Sequence, residues 1–218
     1  MEKRKIDYLM FRTQDGIVKV DPDIYYRLFN VSPERPNRKY NGDITSVRIS
    51  SDGCPVVVFG KKPSHYIPLA RFVTNAQKGQ IVDHKNRNNL DNRRCNLRFV
   101  TKRQNNLNKK PSNDTGFFGV CVKHQDKRTF CCGKFKPAGL KEVSFQLPDN
   151  KNNRIVAAFA RDKFVLQAKD EEYAPLNFPC WQFEPFRNIL LNEDLRKYKT
   201  ERNANSQLEF SFMKHFKK

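Results

Sequence analysis

From residue 9 to residue 73 the apolar and polar positions alternate in short runs. "GIVKVD", "ITSVRIS", "CPVVVFG" and "SHYIPLARFV" are separated by the turn-forming groups "DG", "NG", "SDG" and "GKKP". Alternation of this length between such breaks predicts strands, so residues 1–75 read as a β-rich platform built on a small antiparallel sheet. "DPDIYYRLF" reads as a short helix capped by Asp21 or Asp23.

The pattern then breaks. In "IVDHKNRNNLDNRRCNLRFVTKRQNNLN", residues 81–108, apolar residues are sparse, and eight asparagines with seven Lys or Arg side chains take their place. Leu97, Val100 and Leu107 predict one side of a helix starting at Thr101, whose hydroxyl pairs with Gln104 in a capping box. The rest of this ribbon, residues 76–110, reads as loop and extended chain held by asparagine side chains that bond neighbouring backbone.

"PSNDTG" at 111–116 marks a boundary. Beyond it "FFGVCVKH", "RTFCCGKFK" and "EVSFQL" predict three strands, and "NKNNRIVAAFARDKFVLQA" a helix with Ile155, Ala158, Phe159, Asp162 and Phe164/Val165 near helical spacing, the apolar members on one face. Residues 112–180 thus form a second module, with Phe117, Phe118, Phe130, Phe135, Phe145, Phe159 and Phe164 assigned mainly to its core. Residues 181–218 read as a helical and basic tail that either caps this module or adds a nucleic-acid contact. The fold class is α+β.

A net charge of +19 and a pI near 9.8 point to a polyanionic partner. The longest apolar runs are strand-sized rather than membrane-spanning. "MEKRKIDYLMFRTQDG" has no apolar signal core, so an intracellular, nucleic-acid-containing compartment (cytoplasm, nucleoid or nucleus) is expected rather than secretion. Cys54, Cys95, Cys121, Cys131, Cys132 and Cys180 form no paired C-x-x-C knuckles and are expected as reduced, partly buried thiols.

The ribbon also holds candidate chemistry. A histidine near neutral pKa suits proton abstraction from water, and an amide such as Asn96 can fix its ring without adding charge. Asp83 and Asn105 supply the hard oxygen donors that a divalent cation prefers. The bland reading is a basic loop that only binds phosphate.

"VDHKNRNNLDNRRCNLRFVTKRQNNLN" resembles the HNH motif of homing endonucleases, the ββα-metal nucleases, through the pattern V-D-H-x-N-x-x-x-x-D-N-R-x-x-N-L-R-x-V-T-x-x-Q-N-x-x-N. The resemblance implies His84 as general base, Asp83 and Asn105 as ligands of Mg2+ or another divalent cation such as Mn2+, and Asn96 as the residue orienting His84. It implies that Asp91, Asn92 and Arg93 shape the loop and that Arg98 lies near the phosphate or the loop. Arg93, Arg94, Arg98, Lys102 and Arg103 are the DNA-contact candidates here. The lead-in has Ala70-Arg71 where the family usually carries His-Arg.

Residues 115–179 resemble an AP2-type DNA-binding domain in the "GV" of the first strand, Phe130 where the family usually has Trp, the Ala157-Ala158 pair and the closing "LNFP". In that fold the sheet lies in the major groove, which implies DNA contacts from Lys123, His124, Lys127, Arg128, Lys134 and Lys136. Cys131 and Cys132 stand where longer polar side chains are common. The joint expectation is a homing-type endonuclease acting on double-stranded DNA without a small-molecule cofactor. It would either nick as a monomer or cut both strands as a homodimer, leaving 5′-phosphate and 3′-hydroxyl ends. The rivals are a DNA-binding or regulatory protein without cleavage, and an RNA-binding module, which calls for exposed stacking aromatics.

Overall fold

The computed structural model describes residues 7–32, 35–40, 42–60 and 64–199. Those up to Asn108 make one compact unit and those from Lys109 a second. Both are α+β, with small antiparallel sheets and few helices.

In the first unit β1 (Leu9–Thr13) and β2 (Gly16–Val20) form a hairpin. Helix α1 (Pro22–Leu28) follows, with a proline in the first turn where the missing N–H has no intrahelical partner to lose. Asp21 occupies the N-cap position but makes no capping bond, because its carboxylate accepts the main-chain N–H of Arg94 at 2.8 Å. Next come a hairpin of β3 (Phe29–Ser32) and β4 (Arg35–Tyr40), then a sheet of β5 (Ile44–Ile49), β6 (Pro55–Phe59) and β7 (His65–Pro68) with β6 central. The expected strand "SHYIPLARFV" extends only to Pro68. Leu69, Ala70 and Val73 are buried at helical spacing, and Leu69–Thr74 forms α2, closed by Asn75 in the left-handed conformation.

The ribbon folds as β8 (Ile81–His84), β9 (Leu97–Val100) and α3 (Lys102–Asn108), with Asp83 opposite Arg98 and His84 opposite Leu97. The capping box forms as expected: Thr101 N donates to Gln104 Oε1 at 2.8 Å, and Gln104 N to Thr101 Oγ1 at 3.2 Å. Phe11, Val18, Val20, Ile24, Leu28, Val57, Leu69, Val73 and Leu97 share one core, with Val82 and Leu90 packed against it. The ribbon therefore has no core of its own. Strand β2 also reaches it directly, since Lys19 N donates to Leu90 O and Asn92 N to Lys19 O, each at 2.8 Å.

The second unit is a sheet of β10 (Val120–Gln125), β11 (Arg128–Phe135) and β12 (Val143–Pro148) in that order, covered by α4 (Lys151–Gln167). Asn150 caps α4, its side chain accepting from Asn153 N at 2.8 Å. The buried Asp162, polar within the apolar face, accepts from Asn177 N, Asn177 Nδ2 and Phe178 N, each at 3.0 Å. Asn177 in turn accepts the N–H of Phe118 at 2.7 Å, which ties "LNFP" to the start of the sheet. Helix α5 (Phe186–Asn192) packs against α4, and a 3-10 turn at Leu195–Lys199 also meets it. That part of the expected tail caps the unit; residues 200–218 lie outside the described residues. All six cysteines are free thiols, with Cys131 and Cys132 buried.

Helix α4 lies so close to β11 that a Cβ on Gly133 would stand 2.0 Å from the main-chain oxygen of Ala157. Neither backbone can yield without breaking its own ladder. Gly133→Ala should therefore destabilise the second unit by about 3 kcal/mol or more, read as a fall in its thermal midpoint; an unchanged midpoint would show that helix and strand can separate freely.

Candidate active site

Strand β8 delivers Asp83 and His84 to one open cleft, and α3 brings Asn105 to the same place. The cleft has a volume of about 370 Å3, and its walls include Cys54, Ala70, Arg71, Asn89 and Asn92. Asp83 is buried and fully engaged on one oxygen: Arg98 Nε and one of its terminal nitrogens each approach Oδ2 at 2.9 Å. Asn108 Nδ2 lies 3.0 Å from both carboxylate oxygens and 2.9 Å from His84 O. Carboxylate oxygens have about four acceptor positions between them, so Oδ1 retains capacity.

The His84 ring is mostly buried. Its Nε2 lies 3.2 Å from Asn92 Oδ1, and Nδ1 makes no hydrogen bond among the described residues. Burial pulls its pKa below the ordinary imidazole value, opposed by the bond to Asn92 and the charges of Asp83 and Asp91. The neutral ring is the form that can accept a proton.

The loop between β8 and β9 is held by amides. Asn86 N donates to Asn96 Oδ1 and Asn96 Nδ2 to Asn86 Oδ1, both at 3.0 Å, while Asn96 Nδ2 also reaches Asp91 O at 2.8 Å. Asn86 and Asn88 each accept from the main chain two residues on, at 2.9 and 3.0 Å. Asn96 thus braces the loop, and the side chain that touches the His84 ring is Asn92. No sequence signal marks Asn92 for this part. Asn108, also missed, was within reach, because it lies one helical turn beyond Asn105 on α3.

The expected DNA-contact residues divide. Arg93 pairs with Asp91 through two bonds of 2.7 Å, Arg94 with Asp23 at 2.7 and 2.6 Å, and Arg98 with Asp83. These three arginines brace the site internally. Lys102 is exposed at the start of α3 and Arg103 is half-buried. In the second unit, Lys123, Arg128 and Lys134 share by register the sheet face opposite α4, with Lys127 at the hairpin turn and Lys136 just beyond β11. His124 alternates to the α4 side, where Nδ1 meets Thr129 Oγ1 at 3.1 Å. Cys131 also faces α4 and is buried, so it is a core thiol rather than a base reader.

Could this donor set hold a cation? Among the described residues no three His, Cys, Asp or Glu side chains gather into a metal cage. One carboxylate oxygen with spare capacity and the amide of Asn105, which has no side-chain hydrogen bond among the described residues, nevertheless border one cleft. An all-oxygen, half-open set of this kind fits a hard divalent ion that keeps water and phosphate as its other ligands.

The geometry is a ββα unit with a histidine at the strand end and an amide on the helix. Residues 74–107 match the family model of the HNH endonucleases. The match supports a nuclease-type function for this segment, which implies DNA as the substrate class. Neither the curated proteins nor the solved structures contain a match to the chain.

In protein without added metal, the His84 ring should titrate below about 6.5, followed by NMR of the ring protons. The sign follows from linkage: His84 contributes stability above the unfolded value, and that contribution is lost as pH falls through the lower folded value. A midpoint at or above 6.5 would mean that the two carboxylates outweigh burial.

Proposed function

We propose that the chain is a metal-dependent DNA endonuclease of the homing type, cutting with its HNH segment and gripping double-stranded DNA with its AP2-like second unit. The observation that carries the reading is the convergence of Asp83, His84 and Asn105 on one open cleft. His84, neutral and with one ring nitrogen unpartnered among the described residues, takes the proton of the attacking water. Asp83 and Asn105 hold Mg2+ or a similar divalent ion. When bound, the ion neutralises charge on the phosphate and on the departing 3′ oxygen. Arg98 and Asn108 aim the Asp83 carboxylate, as outer partners of ligands do.

The grip comes from the sheet face that carries Lys123, Arg128 and Lys134, with Lys127 and Lys136 at its margins. These side chains have the reach to meet phosphates, which position a protein on the duplex. Lys134 also lies 3.7 Å from Glu142, a partly exposed pair that DNA phosphate can displace at little cost.

A binder without cleavage is favoured by one observation: Ala70, at the family's usual histidine position, lines the cleft and supplies no polar group. Nicking of supercoiled plasmid separates the two readings. Wild type should nick with magnesium and not with EDTA, and His84→Ala should lose at least about 100-fold in rate while retaining DNA binding. Binding without nicking by wild type, across plasmids with varied candidate sites, would select the rival.

Changing Lys134 and Lys136 together to Gln should weaken binding and reduce the salt slope by about 2. A slope equal to that of wild type would remove both residues from the DNA interface.

A further inference from the structure

The geometry points to Asn92 as the residue that fixes the tautomer of His84, leaving Nδ1 as the nitrogen that takes the proton; we infer this beyond, but resting on, the nuclease reading. Asn92 has no accessible surface, and each end of its amide has a definite neighbour. Nδ2 donates to the main-chain oxygen of Asn89 at 2.8 Å. Turning the amide over would set two oxygens against each other there, so Oδ1 must face the imidazole. An amide oxygen can only accept. Nε2 of His84, 3.2 Å away, therefore carries the ring proton in the neutral form, and the Nδ1 lone pair is left open.

The main chain locks the same arrangement. Asn92 N donates to Lys19 O at 2.8 Å, and Lys19 N to Leu90 O at 2.8 Å, so β2 holds Asn92 in register against the ring. The ring backbone is fixed from the other side, where Asn108 Nδ2 reaches His84 O at 2.9 Å. Asn92 is thus a positioning residue that acts through His84. Asn96, 10 residues from Asn86 and bonded to it and to Asp91, shapes the loop that carries both.

The experiment uses the full chain labelled with 15N-histidine, at about pH 8 so that an imidazole of ordinary pKa is neutral. The His84 signal is identified by its loss in His84→Gln. Long-range proton–nitrogen spectra distinguish the two neutral tautomers without metal or DNA. Wild type should show the Nε2–H form. Asn92→Asp, which keeps an acceptor, should retain it, and Asn92→Leu, of similar volume, should give a mixture of the two forms. In the plasmid assay Asn92→Leu should lose about 10- to 100-fold in rate while DNA binding stays within about twofold, a kinetic split that separates positioning from substrate affinity.

A wild-type spectrum with Nδ1–H, or a leucine variant with an unchanged Nε2–H spectrum, overturns the inference. Should Asn92→Leu fail to fold, the wild-type and Asn92→Asp spectra still decide it. A wild-type protein with the Nε2–H tautomer but no nicking would retain the structural assignment and remove the nuclease reading on which its purpose rests.

Discussion

Two main-chain hydrogen bonds, from Lys19 N to Leu90 O and from Asn92 N to Lys19 O, make the cleft a fixed object. The loop between β8 and β9 is too poor in apolar residues to hold a shape by burial. Strand β2, whose Val18 and Val20 are wholly buried, offers it a rigid edge. Pairing with that edge places Asn92 beside the His84 ring and turns Asp91 to meet Arg93 and Asn86. Any motion of the hairpin is therefore a motion of the candidate base. A platform that looks like mere scaffolding in the sequence is part of the site's geometry.

Charge is distributed by the same logic. The chain is strongly basic, yet Arg93, Arg94 and Arg98 of the ribbon are spent on neighbouring carboxylates. Arg94 bridges to Asp21 and Asp23 at the start of α1, a contact that spans over 70 residues of chain and pins the loop to the first helix. Arg93 holds the Asp91 carboxyl below the usual carboxylate range by a two-bond pair. A pair this ordered is worth more as geometry than as stability, because part-exposed ion pairs contribute little energy. On the open sheet face of the second unit, Lys123 and Arg128 stay exposed to solvent.

Much of this was legible in the sequence. The Thr101–Gln104 capping box, the three strands and helix of the second unit, and the grouping of Asp83, His84 and Asn105 all follow from spacing or motif. Strand and helix periods, and a cap three residues from its partner, are local properties that a linear reading can hold. The errors were non-local. Asp21 leaves its capping role because Arg94, distant in sequence, competes for its carboxylate. "SHYIPLARFV" changes from strand to helix at Pro68 because burial of Leu69, Ala70 and Val73 decides the conformation after it. Asn92 and Asn96 look alike in the ribbon, and only the pairing with β2 tells which of them meets the ring.

The abundance of asparagine has a physical reason that neither apolar nor charged residues could satisfy. The turn from His84 to Leu97 has main-chain N–H groups at Asn86, Asn88 and Leu90 that no strand partner reaches, and amide oxygens accept all three. Apolar side chains would leave the part-buried Asn86 N–H unpaired, at a cost of about 1–3 kcal/mol, and would turn the two exposed donors over to water, with nothing to fix the turn. Carboxylates would accept them, but each would add a negative charge beside the cleft, against the polyanion that the nuclease reading brings there. Lysine or arginine has no acceptor to offer. A neutral amide alone shapes this loop while leaving the field at the cleft to Asp83, His84 and the incoming polyanion, so the composition that withholds a core from the ribbon is the condition for its chemistry.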